Sequence, residues 1–142
     1  MAHAAADAAG PAASLIPAEQ AGSDILLNCK GYLFICPENL GSMSGVMKDM
    51  FDRCYYPLLG HIEGRAYATA VAAGSDGSGA TAQIDRIVTG WRLRRVAEPL
   101  IVNMGAQTPE EILALKTVPS GELARCVDLG RALAEGLAMG VF

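Results

Sequence analysis

Two short stretches of this chain carry residue types that could hold a ligand. The first, residues 37–43, reads Pro-Glu-Asn-Leu-Gly-Ser-Met and offers a carboxylate, a carboxamide, a hydroxyl and a glycine. The second, residues 74–77, reads Gly-Ser-Asp-Gly, and its glycines permit positive φ and a close approach of the backbone to a ligand. Both stretches predict binding through small polar groups and backbone N–H donors. A glycine-rich turn also forms for geometric reasons alone, and that alternative stays open.

The chain carries no familiar catalytic or metal-binding motif. HExxH, CxxC, GxSxG, a Walker lysine and GxGxxG are all absent from the sequence. The neighbouring acids Glu110 and Glu111 follow Thr108 and Pro109, which is the pattern of a capping box at a helix start, so they have a structural explanation. If the protein is an enzyme, its reacting atoms therefore belong to a cofactor.

Each of the two stretches follows a predicted buried strand. Residues 32–36 form a continuous run of apolar, aromatic and β-branched residues, typical of a strand covered on both faces, and Pro37 is predicted to end it. Residues 65–73 are small and apolar, as in a central strand closely covered by helices. Open α/β sheets bind ligands at the carboxyl ends of their strands, so the two stretches are expected at one edge of the sheet.

The remaining elements follow from the spacing of apolar residues. A helix is predicted from Val46, and another after residue 77 that carries Trp91 in its buried stripe and Gln83 on its outer face. A helix over residues 2–9, a short edge strand within residues 12–17, a last strand over residues 98–103 and a final helix from Ser120 complete the prediction.

Composition limits the class of protein. The 142 residues, 51% of them hydrophobic, supply one domain spanning residues 1–142 with a core that needs no disulfide or metal. The net charge of −4 offers no electrostatic footprint for nucleic acid. No apolar run has transmembrane length and no signal peptide is recognisable, so we expect a cytoplasmic protein without membrane contact. The widely spaced Cys29, Cys36, Cys54 and Cys126 are expected to be reduced thiols.

A family resemblance lies in residues 36–53, Cys-Pro-Glu-Asn-Leu-Gly-Ser-Met-Ser-Gly followed by a lysine and Phe-Asp-Arg. This stretch resembles the third-strand loop and following helix of the flavodoxin-like flavoproteins, in the branch of the NAD(P)H-dependent FMN reductases and multimeric flavodoxins. The resemblance extends from about Ser23 to the C-terminus and includes the glycine-rich stretch 74–79. It implies a flavodoxin-like three-layer α/β/α sandwich with a parallel sheet.

The resemblance also implies a cofactor and residues that hold it. FMN would lie with its ribityl chain and ring against the first loop and with its pyrimidine edge against the second. The cofactor-binding residues so implied are Pro37, Glu38, Asn39, Leu40, Gly41, Ser42, Met43, Gly74, Ser75, Asp76 and Gly77. Glu38 has an equally good explanation as a helix cap that never meets the flavin.

One part of the family pattern is missing. A flavodoxin-like domain begins with a buried strand and a Ser/Thr-x-Thr-Gly-x-Ser/Thr loop that holds the FMN phosphate, and this sequence contains neither. We therefore expect a fold that is N-terminally incomplete, either because the chain starts part-way through such a domain or because it is a variant with a rearranged sheet.

Three functions from different classes follow. The first is an FMN-dependent oxidoreductase that passes electrons from NAD(P)H to a small-molecule acceptor such as a quinone or free flavin. A flavodoxin-type electron carrier is the second, although its usual acidic bias is weak here. The third is a flavin-free domain with a structural or interaction role. A free sheet edge and abundant apolar residues also predict a homo-oligomer.

Overall fold

The computed structural model describes residues 1–142 and forms a mostly parallel sheet between two layers of helices. The strands are β1 Gly31–Asn39, β2 Ser42–Met43, β3 Ala66–Ala73, β4 Arg94–Arg95 and β5 Leu100–Asn103. The helices are α1 Ala2–Ala9, α2 Ser23–Asn28, α3 Gly45–Leu58, α4 Ser78–Gly90, α5 Pro109–Leu113 and α6 Ser120–Ala138, with a 3-10 turn at Gly10–Ala12. None of these helices is long and apolar enough to cross a bilayer.

Strand β3 is the centre of the sheet. One of its edges pairs in parallel with β1, in a register that runs from Gly31 beside Ala66 to Pro37 beside Ala72. Its other edge pairs in parallel first with β4 and then with β5. Because these strands are parallel, β1, β3 and β5 all end at the same edge of the sheet, as the sequence predicts.

The two faces of the sheet are covered differently. Helices α3 and α4 pack on one face through an aromatic cluster in which the rings of Phe51 and Trp91 lie 5.4 Å apart. The Trp91 indole N–H donates to the carbonyl of Tyr55 at 3.0 Å, so the predicted packing role of Trp91 is confirmed. Helices α1 and α6 lie together and α6 covers the other face, where Ala70, Val102 and Cys126 are buried.

Two boundaries differ from the sequence prediction. Strand β1 does not end at Pro37 but continues to Asn39. Pro37 pairs with Ala72 of β3, and its carbonyl accepts from the backbone N–H of Ser44 on the opposite side of β1. The missing N–H of Pro37 therefore faces away from β3 and removes no hydrogen bond from the ladder with β3. The edge strand predicted within residues 12–17 does not form: these residues join no sheet, and Leu15 and Ile16 are 43% and 38% exposed. The prolines at both ends of this segment shorten the run that could donate to a ladder.

Glycine sets the spacing of the layer that α1 and α6 form. A Cβ on Gly130 of α6 would lie 2.2 Å from the carbonyl oxygen of Ala5 in α1, whereas a Cβ on Gly121 of the same helix would meet nothing within 4 Å. The contact with Ala5 involves backbone, which cannot move aside as a flexible side chain does. Helix α1 can therefore lie on α6 only because residue 130 has no side chain.

This difference predicts opposite effects of one substitution at two positions of α6. Gly130→Ala is expected to lower the free energy of unfolding by about 1–3 kcal/mol, the usual cost of forcing an extra methyl group into a packed interior. Gly121→Ala is expected to leave stability unchanged or to raise it by up to about 1 kcal/mol, because alanine loses less backbone entropy in a helix. Urea unfolding of both variants would test this, and an equal effect at the two positions would contradict the close packing of α1 on α6.

Candidate functional site

The first candidate loop is a tight β-hairpin. Asn39 pairs with Ser42 across a turn formed by Leu40 and Gly41, whose φ angles are +53° and +72°. Two central residues with positive φ match the type I′ turn that joins short hairpins. Leu40 pays a steric cost in this region and its side chain is fully exposed. The hairpin therefore holds an apolar side chain out from the carboxyl edge of the sheet.

The carboxylate of Glu38 joins this hairpin to the second candidate loop. Its Oε1 accepts from the backbone N–H of Gly77 at 2.8 Å, and its Oε2 accepts from the backbone N–H of Ala80 at 3.0 Å. These groups belong to the first turn of α4, whose N–H groups lack partners within the helix and whose dipole favours a negative charge. Of the two roles that the sequence left open for Glu38, the structure shows the helix cap.

Helix α4 and the hairpin are also in direct contact. A Cβ on Gly79 would lie 2.1 Å from the carbonyl oxygen of Gly41, so only glycine allows this approach. Further along, the backbone N–H of Met43 donates to Oε1 of Gln83 at 3.0 Å. The side chain of Met43 is 3% exposed and lies in the core beneath the hairpin. Met43 can therefore contribute only its backbone to a surface ligand.

A third loop, which the sequence did not single out, completes the edge. The side-chain amide of Asn103, at the end of β5, donates to the carbonyl of Ser75 and accepts from the backbone N–H of Gly105 at 2.8 Å. The backbone N–H of Ala106 donates to the carbonyl of Gly74 at 2.8 Å. The rule that identified the other two loops, a polar residue at the carboxyl end of a strand, would also have found Asn103.

Within this framework several backbone donors are left without a partner. The N–H groups of Gly74, Ser75 and Asp76 donate to no protein acceptor, and neither do those of Leu40 and Gly41 at the hairpin tip. Ser75, Asp76, Leu40 and Gly41 are exposed, and Gly74 is half-buried. The structure thus brings the two predicted loops together and leaves them with free donors at one edge.

The only thiol near these loops is buried and neutral. Burial raises the pKa of Cys36, the hydrogen bond from the backbone of Ser44 lowers it, and the charge of Glu38 raises it, with a net increase. Cys36 is therefore a protonated core residue at neutral pH and not a nucleophile. The two carboxylates of these loops, Glu38 and Asp76, both accept hydrogen bonds from the protein, so the arrangement is suited to binding and orienting a ligand.

Comparison with known proteins agrees with this description. Residues 11–107 match the family model of the NADPH-dependent FMN reductases. No protein of curated function matches the sequence. The chain belongs to the NADPH-dependent FMN reductase family, and so to the flavodoxin-like flavoproteins.

Solved structures show the same fold at low sequence identity. A flavodoxin from the domain Archaea is 15% identical, with a TM-score of 0.70 over 96% of this chain and 90% of that one. A WrbA-like flavodoxin from Agrobacterium tumefaciens is 14% identical, with a TM-score of 0.64 over 97% and 90% of the two chains. An NADPH-quinone reductase from P. pentosaceus is 16% identical, with a TM-score of 0.52 over 79% and 71%. The predicted flavodoxin-like fold is confirmed.

The double hydrogen bond of Glu38 generates a stability prediction. Glu38→Gln keeps the size of the side chain but removes the charge and one of the two acceptors, so the free energy of unfolding should fall by about 1.5–3 kcal/mol, the usual worth of hydrogen bonds to a charged group. Glu98→Gln serves as the matched control, because Glu98 forms no hydrogen bond or ion pair in the structure and is exposed. Equal urea midpoints for the two variants would show that Glu38 does not join the loops.

Proposed function

We propose that this chain binds FMN at the edge formed by residues 37–43 and 74–77 and works as an NAD(P)H-dependent oxidoreductase. The observation that carries the proposal is the set of unpartnered backbone N–H groups on two loops that Glu38 ties together. Membership of the FMN reductase family supports the choice of flavin and of a nicotinamide as electron donor.

The free backbone N–H donors of the two loops suit the edge of a flat, uncharged ring. Residues 37–43 and 74–77 contain no lysine or arginine, and the two carboxylates among them are both occupied. Glu38 caps α4, and Asp76 accepts from the backbone N–H of Ser78 at 3.3 Å and from its hydroxyl at 2.6 Å. The amides of Gly74, Ser75 and Asp76 are then the groups that would hold the carbonyl and nitrogen acceptors of the pyrimidine ring.

The hairpin would contact a different part of the flavin. The exposed side chain of Leu40 and the half-buried Ser42 would lie against the ring and the ribityl chain, with Pro37 and Asn39 exposed beside them. Bound flavin would supply the redox chemistry, accepting hydride and passing electrons on. The residues of the chain would fix the ring and leave a face open for the nicotinamide and then for the acceptor, a quinone, free flavin or a similar small molecule.

The proposal is tested with purified protein and FMN. Flavin fluorescence should fall on titration with protein, and NADH or NADPH should be oxidised faster by the complex than by free FMN when a soluble quinone is present. An electron carrier would bind FMN without accelerating nicotinamide oxidation. Protein that leaves the fluorescence of FMN unchanged would contradict the proposal, and it is the result expected of a flavin-free domain.

The contact between Gly79 and Gly41 allows the two loops to be separated by a single methyl group. Gly79→Ala is expected to push the hairpin away from α4 and to weaken FMN binding by about tenfold, which corresponds to roughly 1.4 kcal/mol. Gly45→Ala is the matched control, because a Cβ on Gly45, at the start of α3, would meet nothing within 4 Å. Equal dissociation constants for the two variants would show that FMN does not bind across both loops.

A further inference from the structure

The face of α3 that points away from the sheet carries a stripe of exposed residues. The buried side chains of α3 all lie on the opposite face, in the core. The exposed residues follow one another at intervals of four, three and four positions, so they share one side of the helix. These residues, the outer stripe of α3, are Gly45, Asp49, Asp52 and Tyr56.

The two ends of the outer stripe are complementary in size. At its start, a Cβ on Gly45 would meet nothing within 4 Å, so the helix surface is open there. At its end, the ring of Tyr56 meets that of Tyr55 edge-on, with ring centres 5.4 Å apart, and the residue remains 80% exposed. Tyrosine is enriched where proteins contact one another. A projecting tyrosine and an open glycine thus lie at opposite ends of one helix face.

The charges along the outer stripe have acceptor capacity left. Lys48 pairs with Asp52 at 2.6 Å and Arg53 pairs with Asp49 at 2.7 Å, each within α3. Each carboxylate uses one oxygen in these pairs, whereas Oδ2 of Asp52 and Oδ1 of Asp49 accept no hydrogen bond from the protein. All four side chains are at least 40% exposed. Both carboxylates can therefore accept from a further cation while they keep their present partners.

An antiparallel copy of the same helix matches the size and the charge of the outer stripe at once. A two-fold axis at the middle of α3 places Tyr56 of each copy over Gly45 of the other. Such an interface uses the same patch twice, so the patch must be complementary to itself. The same axis brings opposite charges of the two copies together on both flanks of the contact, in the pairs Lys48 with Asp52 and Asp49 with Arg53.

We propose that the outer stripe of α3 is the contact between two copies of this chain, with the two helices antiparallel. A parallel pairing would place Asp49 and Asp52 beside their own equivalents, and like charges in contact are repulsive. The contact is the length of one helix of 14 residues, about 21 Å at 1.5 Å per residue. An interface of that length is smaller than the roughly 1,200 Å² at which stable complexes begin, so we expect a reversible dimer with a micromolar dissociation constant.

This contact is separate from the candidate flavin site. The outer stripe begins after the hairpin, at Gly45, and none of its residues belongs to stretches 37–43 and 74–77. Dimerisation therefore requires no FMN, and failure of the proposed function leaves this inference standing. The homo-oligomer that the sequence predicts is assigned in this way to a helix face instead of the free sheet edge.

Sedimentation velocity of the full chain without flavin tests the association. The weight-average sedimentation coefficient should rise from that of a monomer towards that of a dimer between about 1 and 100 μM. Tyr56→Ser should raise the dimer dissociation constant by about tenfold, because it removes the ring that covers Gly45. Leu113→Ser is the matched control, since it removes an apolar side chain that is 86% exposed on α5, and it should change the constant by less than about twofold.

A charge exchange tests the antiparallel arrangement. Lys48→Asp and Asp52→Lys each place like charges across the contact, and each variant alone should dimerise about tenfold more weakly than the unsubstituted chain. An equimolar mixture of the two variants restores an opposite pair on both copies, so it should form a mixed dimer about as strongly as the unsubstituted chain. Circular dichroism melts would establish that both variants are folded.

Three results would overturn the proposal. In the first, the chain stays monomeric up to about 100 μM, which is expected if a different protein or another segment of the same polypeptide covers α3. In the second, Tyr56→Ser and Leu113→Ser change dimerisation equally, so the outer stripe is not the contact. In the third, the mixture of the two charge variants associates no more strongly than either variant alone, so the helices do not pair in the antiparallel sense.

Discussion

The carboxylate of Glu38 at the start of α4 is the interaction on which the candidate site depends. Parallel pairing of β1 with β3 brings two loops to one edge of the sheet, but it does not fix the distance between them. Glu38 fixes this distance, because its side chain extends from β1 and accepts from the backbone amides of Gly77 and Ala80, which follow β3. Close contact of Gly41 with Gly79 and the hydrogen bond from Met43 to Gln83 then hold the hairpin along the first turns of α4.

This use of Glu38 determines what kind of ligand the edge can take. A free helix N-terminus is a ready-made anion site, since its N–H groups and dipole both favour negative charge. In this protein the carboxylate of Glu38 already accepts from Gly77 and Ala80 at that position of α4, and free donors are found on residues 74–76 before the helix and on Leu40 and Gly41 of the hairpin. They are neutral amides without a cation beside them. The site is therefore matched to the polar edge of a ring.

Sequence reasoning succeeded where structure is set by local pattern. The apolar runs gave β1 and β3, the periodicity of Met47, Met50 and Phe51 gave α3, and Thr108 with Glu111 forms the predicted capping box. Both candidate loops were located because strand order and loop position follow from the α/β alternation.

Sequence reasoning failed where the role of a residue depends on a partner far away in the chain. Gln83 was placed on the outer face of α4 because periodicity alone cannot reveal that Met43, forty positions earlier, donates to it. Asn103 was overlooked since its partner Ser75 lies on another loop. The segment around Leu15 and Ile16 has the composition of a strand, but strand formation also requires a partner edge, which composition does not show. The hairpin turn was missed because leucine seldom adopts positive φ.

The most direct test of the account is a nitrogen-edited NMR titration of the labelled chain with FMN. Amide resonances of Leu40, Gly41, Gly74, Ser75 and Asp76 should move together and saturate, because these are the donors that the protein leaves free. Resonances of Gly31 and Ala66, at the opposite end of β1 and β3, should keep their positions. Shifts confined to other parts of the chain, or no shifts at all, would contradict the assignment of this edge as the flavin site.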